Sequence, residues 1–272
     1  MRPASLAPML LAAALLVPVA IPTAARAEDR IPGEATELTD KVRADALKQV
    51  EVIVKGPGDP VAARRALLRM GPVVWPVLDN ALRLTPPDAA RPHLLFLKAL
   101  LVKKAEPEFE ALRGKLRRRF LIDDMKGISA DLTAFRLGLP DPANPGKRLP
   151  LSVKSTRPGS TELFRSADGT ILLGFGADGT DKKPDAPDAS ATDPMAGFVA
   201  VVAGKGAPYD RQSGKGGDAS ATADNGFAWA WAADGAPGKG AGGAGGQGGS
   251  ALPKGGAGQW GRSGDGGPGG PG

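Results

Sequence analysis

The sequence predicts an α+β protein: a short antiparallel stack of α-helices, a small segment built on a β-hairpin, and a glycine-rich, largely irregular tail. Three observations predict it. The stretch from Asp59 to Lys104 carries the densest apolar run beyond the N-terminal leader, at helical spacing. Between Leu149 and Val202 the apolar residues fall into short runs bounded by Gly, Pro and Asp, as strands do. From Gly204 onward the composition shifts to Gly, Ala, Ser and Asp. These shifts divide the 272 residues into a leader over 1–27, a helical domain over 28–138, a β segment with linkers over 139–203 and a tail over 204–272.

The leader has a positive start (Met1-Arg2), an apolar stretch from Met9 to Ala20, and a small-x-small site at Ala25-Arg26-Ala27, the pattern of a cleaved signal peptide. Broken by Pro18 and Pro22, it falls short of the roughly 20 residues a spanning helix needs. The expectation is an exported chain, whether periplasmic, cell-surface or extracellular. The sequence holds no cysteine, which excludes disulfides, a thiolate zinc site and lipid attachment. A bacterial envelope fits that better than a cystine-stapled secreted domain. No later apolar stretch reaches membrane-spanning length. The net charge of +6 is concentrated between Asp40 and Arg119. Export makes nucleic acid the wrong partner for it and leaves a protein or an anionic cell-surface polymer.

The first helix is expected from a Thr39 or Asp40 cap to about Val54, with Val42, Leu47, Val50 and Val54 on one face and Gly56-Pro57-Gly58 as its stop. Asp59 then caps a second helix with Pro60 at its first position, where the missing N–H costs nothing. Ala63, Leu67 and Met70 line its inner face, with Arg64, Arg65 and Arg69 pointing away. Gly71 closes it and Pro72 opens a third helix carrying Val74, Val77, Leu78, Ala81 and Leu82, bent in its first turn by Pro76.

These residues resemble the HEAT family of helical repeats. The resemblance lies in Ala66-Leu67-Leu68, Met70-Gly71, Gly71-Pro72-Val73-Val74-Trp75-Pro76-Val77-Leu78 and Ala81-Leu82, where such repeats place a Leu-Gly stop and a Gly-Pro-x-x-x-Pro-x-Leu start. A second unit pairs Pro87–Lys103 with Glu106–Phe120. The match covers about 59–120 and implies a scaffold that holds and presents. Two units are fewer than the roughly three that cover their own apolar faces. The helix before them, and short helices over Leu121 to Phe135, are therefore expected to close the stack. Arg113, Lys115, Arg117, Arg118 and Arg119 form a basic run near a helix C-terminus, the candidate contact for an anion or partner.

Beyond Leu139-Pro140-Asp141-Pro142 the periodicity changes. Glu162–Arg165 and Thr170–Leu173 read as a hairpin about Ala167-Asp168-Gly169, and Phe198–Val202 as a further strand. The Asp- and Pro-bearing gap from Ala177 to Pro194 lacks calcium-loop spacing and reads as a solvated, disordered linker. In the tail, Gly217–Ala223 and Phe227–Ala232 flank the turn signal Asp224-Asn225-Gly226 and read as a second hairpin, with every alanine on one face. Phe227, Trp229 and Trp231 are the candidate tail contacts. Gly-Gly-x triplets follow, from Gly242 and again from Gly266. They leave two readings open: a flexible tail, favoured by the entropy glycine loses on ordering, or threefold extended helices bundled where only glycine fits. The composition is similar to that of exported glycine-rich bacterial surface proteins.

No catalytic, cofactor-binding or metal-ligating set is read from the chain. His93 is its one histidine and has no nucleophile or second ligand near it in sequence. Convergence of Asp123, Asp124 and Asp131 in one deep pocket would be the exception. The expected function is a non-enzymatic exported scaffold or interaction protein working through its helices; the alternative is a surface or matrix adhesin working through its tail.

Overall fold

Capping and proline chemistry set the helical half. In a computed structural model, residues 31–56, 58–103, 106–209, 212–239, 241 and 243–270 are described, and the signal peptide read over 1–27 lies outside them. Helix α1 (Asp40–Lys55) starts where the Thr39 hydroxyl accepts the Val42 N–H at 3.3 Å, and it stops at Gly56, which takes a left-handed φ of 70°. Asp59 accepts the Val61 N–H at 2.8 Å to start α2 (Pro60–Met70). The chain after Gly71 is not one helix bent by Pro76. A 3-10 turn (Pro72–Val74) comes first and α3 (Trp75–Arg83) restarts behind it, which puts Pro76 in a first turn where its missing N–H breaks no bond. Helices α4 (Arg91–Leu101), α5 (Pro107–Leu121) and α6 (Ile128–Arg136) complete the set. Helix α1 packs on α2 and α3, and α5 packs on α2, α4 and α6.

The C-terminal half overturns the expected small hairpin segment and irregular tail, and with them the α+β reading. The chain is α/β. Strands β1 (Ser155–Thr156), β2 (Thr161–Arg165) and β3 (Ile171–Gly176) are followed by β4 (Ala189–Thr192), β5 (Phe198–Val202) and β6 (Ala219–Ala223). Strands β7 (Phe227–Trp231), β8 (Ala251–Gly255) and β9 (Gly258–Arg262) complete the order. A six-stranded mixed sheet runs β1-β2-β3-β5-β7-β9, and a three-stranded parallel sheet runs β4-β6-β8. Only β1, β2 and β3 pair antiparallel; β3, β5, β7 and β9 run parallel, as do the three strands of the smaller sheet. The chain thus passes from one sheet to the other and back, winding a flattened solenoid whose rungs stack on one another.

This explains why β6 and β7 are not the hairpin their sequence suggests. Asp224-Asn225-Gly226 turns the chain through the thickness of the body, from one sheet to the other. Gly226 N–H bonds Ala223, Asn225 N–H bonds Pro194 one rung back, and Ala257 N–H bonds Gly226 from one rung ahead. Ala189, Ala191, Ala219, Ala221 and Ala223 all face inward, packed on Leu172, Val199, Val201, Ala228 and Ala230 of the larger sheet. The opposite face of that sheet, with Phe175, Phe198, Phe227 and Trp229, packs on the helices.

Between the strands the glycine-rich segments are ordered. Their backbone hydrogen bonds recur every third residue, the interval of the threefold polyproline-type helix. Gly214 and Gly217 donate to Ala207 and Gly204; Ala236 and Ala233 donate to Gly214 and Gly217; Gly246 and Gly249 donate to Ala236 and Ala233. Gly267 and Gly264 then donate to Gly246 and Gly249, at 2.7 and 2.9 Å. At this separation a side chain has no room. A Cβ on Gly246, Gly249, Gly264 or Gly267 would press into a neighbouring carbonyl oxygen at well under 3.0 Å.

The Asp-bearing gap from Ala177 to Pro194 is not a disordered linker either. Its carboxylates accept backbone N–H groups from the next rung: Asp178 from Lys205 at 2.8 Å, Asp185 from Lys215 at 2.6 Å and Asp188 from Asp218 at 3.3 Å. Asp218 and Asp234 repeat the device with Ser250 at 2.7 Å and Asp265 at 2.9 Å.

Gly246→Ala is expected to destabilise the protein by about 1–3 kcal/mol, the usual cost of overpacking a site that cannot relax. Gly269, whose Cβ would meet nothing nearer than 3.7 Å, serves as control. Gly269→Ala should leave stability unchanged or raise it by less than about 1 kcal/mol. Urea unfolding of the two variants beside the parent checks both.

Candidate binding surfaces

The five basic residues read as a contact patch do not share one surrounding. Arg113 and Arg117 lie on the inner side of α5. Arg113 donates to the Ala99 carbonyl and to Asp168, each at 2.9 Å, and the two side chains of that ion pair are 3% and 4% exposed. Arg117 reaches Glu34 at 2.6 Å, also buried. Arg119 bridges Asp124 and, at 2.7 Å, Asp131. Arg118 has its own interaction within the fold, and Lys115, the fifth, is half-buried. The three aspartates named as a possible convergence divide: Asp124 and Asp131 share Arg119, whereas Asp123 pairs with Arg65.

Asp168 is the hub of the Arg113 site. One oxygen takes Arg113; the other accepts the Ser166 hydroxyl at 2.5 Å and the Thr170 N–H and hydroxyl at 3.1 and 2.8 Å. Burial alone would raise its pKa. The Ser166 hydroxyl, the Arg113 charge and the Thr170 donors outweigh that and hold it below the ordinary value. His93 is pushed the other way from a charged base: burial first, then the nearby Arg64 charge, lower its pKa.

The tail aromatics face the helices. Trp229 is fully buried, donates Nε1–H to the Met125 carbonyl at 3.1 Å, and stacks on Trp231 and Trp260. Phe227 is 8% exposed and meets Phe96 and Phe120 at 5.4 and 5.0 Å between ring centroids. Trp231 is half-buried beneath the Arg262 guanidinium, 4.6 Å from its ring centre.

Three of the places open to a partner among the described residues bear on function. The first is the outer face of the smaller sheet, where Ser190, Ser220 and Leu252 form one row and Thr192, Thr222 and Lys254 the next. The second is an apolar groove of about 430 Å³ between α1 and α3, edged by Leu47 and Leu84, which are 50% and 74% exposed. The third is a cleft of about 200 Å³ where α2 meets the end of the larger sheet, lined by Arg64, Phe96, Phe120, Phe227, Gln259 and Trp260. Arg64 does not point away from the fold as the helical pattern suggests; it is 7% exposed. The buried face of α2, with Ala63, Arg64, Leu67 and Leu68, is wider than the apolar stripe in its sequence. Among the described residues no three His, Cys, Asp or Glu side chains gather as a metal site, and no helix is long and apolar enough to cross a membrane.

Compared with known proteins, the chain matches no family model, no curated protein and no solved structure.

Asp168→Asn leaves Arg113 buried without its counter-charge, and a loss of about 3–5 kcal/mol is expected. Because the folded pKa of Asp168 is depressed, its contribution is complete above the unfolded value of about 3.9 and is lost as pH falls through the folded value. The parent should therefore lose stability below about pH 4 by a component that Asp168→Asn lacks. Denaturant titrations of both proteins across that range measure it.

Proposed function

We propose that the chain is an exported, non-enzymatic binding protein whose working surface is the ordered glycine-rich body at its C-terminal end, with the helices acting as a buttress. The observation that carries this reading is the close fit of the glycines to neighbouring carbonyls. Glycine loses more conformational freedom on ordering than any other residue. A body built from it supports a role that depends on a fixed surface, since a preorganised surface loses less freedom when it binds. The outer face of β4, β6 and β8 is such a surface: Ser190, Ser220, Thr192 and Thr222 lie in two level rows, ended by Leu252 and by Lys254, which pairs with Asp224 at 3.3 Å. The partner class we assign to it is an anionic cell-surface polymer.

A second reading has its own support. The α1/α3 groove is apolar and edged by exposed leucines, which favours a protein segment docking on the helical stack, as the HEAT-like pattern implies.

Co-sedimentation of the protein with bacterial cell envelopes separates the two. On the first reading, Thr192→Glu with Thr222→Glu lowers retention by about tenfold or more, and Leu47→Asp with Leu84→Asp leaves it unchanged. The reverse pattern replaces the first reading with the second. Retention unchanged in both double variants removes both.

A further inference from the structure

The third opening, the cleft beside Arg64, belongs to neither reading above. Its origin lies in the register of the strands. Ile171, Phe198 and Phe227 stand in one column across β3, β5 and β7, and the column ends at Gly258 in β9. The last rung therefore sets no side chain where the two before it set phenyl rings. Gly258 has a φ of +136°, a conformation L side chains rarely adopt, and its Cβ would meet the Phe227 ring at 3.0 Å. The opening is thus fixed in the backbone. Phe96, Phe120 and Phe227 wall it, and Trp260 stands at its side, stacked on Trp229 with 5.4 Å between centroids and 15° between planes. An engineered apolar cavity of about 150 Å³ holds benzene. One of about 200 Å³ has room for a single six-membered ring with one substituent.

Charge narrows the ligand further. Arg64 is buried, yet among the described residues no carboxylate lies within ion-pair distance of it. Nη1 donates to the Ala257 carbonyl, and the guanidinium lies over Phe96 at 5.2 Å from the ring centre. Its neighbour Arg65, by contrast, is paired with Asp123, which holds a left-handed φ of 55°. Desolvation lowers the Arg64 pKa to about 10, so it remains a cation at neutral pH. Asp59 acts on it only from beyond ion-pair distance, and Asp123, also in the lining, is taken by Arg65; the partner the planar fork of Arg64 matches best is an incoming carboxylate.

We propose that this cleft binds a small aromatic carboxylate of the benzoate class, its ring held among Phe96, Phe120, Phe227 and Trp260 and its carboxylate on Arg64. A long aliphatic acid exceeds the volume, and an inorganic anion leaves the aromatic walls in contact with water.

The test titrates the full chain by calorimetry and tryptophan fluorescence with three probes. These are benzoate, benzyl alcohol (ring without charge) and acetate (charge without ring). Saturable one-to-one binding of benzoate is expected, with the other two weaker by about tenfold or more. Arg64→Gln should weaken benzoate by at least about tenfold. Val61 lines the cleft and is 42% exposed. Val61→Trp should close the entrance and abolish binding while circular dichroism stays that of the parent, which keeps the test decisive if Arg64→Gln does not fold. No benzoate binding, benzoate no tighter than benzyl alcohol, or full binding by Val61→Trp overturns the proposal.

Discussion

The aromatic seam between the helices and the larger sheet is the contact on which the remainder depends. Parallel strands carry apolar side chains on both faces and persist only when both are covered. Phe96 and Phe120 from the helices meet Phe198 and Phe227 from β5 and β7, with Phe96 and Phe120 edge to face at 4.8 Å and Phe120 edge to face on Phe227 at 5.0 Å. Such pairs are worth about 0.5–1.5 kcal/mol each beyond the area they bury. Gly197, at the entry to β5, lets α4 approach so closely that a Cβ there would run into the Leu95 carbonyl. Without this cover β3, β5 and β7 would expose a continuous apolar face.

The two faces of that sheet achieve close packing by opposite means. Toward the helices it carries phenylalanine and tryptophan; toward β4, β6 and β8 it carries alanine and valine with one leucine, Leu172, so the second sheet comes close. Farther out, in the glycine-rich arms, side chains leave the interface altogether and backbone packs on backbone. In those arms hydrogen bonds replace hydrophobic area as the main source of cohesion. A missing amide–carbonyl partner there would leave a buried polar group unsatisfied rather than merely a gap. The carboxylates of Asp185, Asp188 and Asp218 serve the same requirement, taking N–H groups that the threefold pattern leaves over.

Much of the helical half was legible in the chain. Thr39, Asp59, Gly56 and Gly71 act within three or four residues of themselves, so their signals are local and the helix limits follow from them. The β2–β3 hairpin was legible for the same reason. The solenoid was not, because each strand pairs with a segment a whole rung away and the residues at the contacts are glycine and alanine, which carry no hydrophobic pattern. The signal was nonetheless written twice. Asp-Ala-Ser-Ala-Thr stands at 188–192 and again at 218–222, Gly-Phe at 197–198 and 226–227, and Gly-Ala-Pro at 206–208 and 235–237. Weighed by composition, the glycines signified lost entropy and hence flexibility; weighed by repeat, they signify positions where a neighbouring backbone must pass. Arg64 was obscured differently. On a helix wheel it belongs with the exposed arginines; the Phe96 ring of α4 and the Ala257 carbonyl of the turn before β9 cover it.

The threefold geometry of the arms also governs how such a chain can change in length. The interval from the larger sheet to the smaller runs from Ile171 to Ala189, from Phe198 to Ala219 and from Phe227 to Ala251, each three residues longer than the last. Three residues are one turn of the extended helix, so the arm grows while every glycine keeps the same neighbour. An insertion of one or two residues would instead rotate side chains into the carbonyls beside them. Lineages carrying this architecture should therefore accumulate insertions and deletions in the arms as whole nine-nucleotide units, and the arms should vary in reach long before they vary in the phase of their glycines.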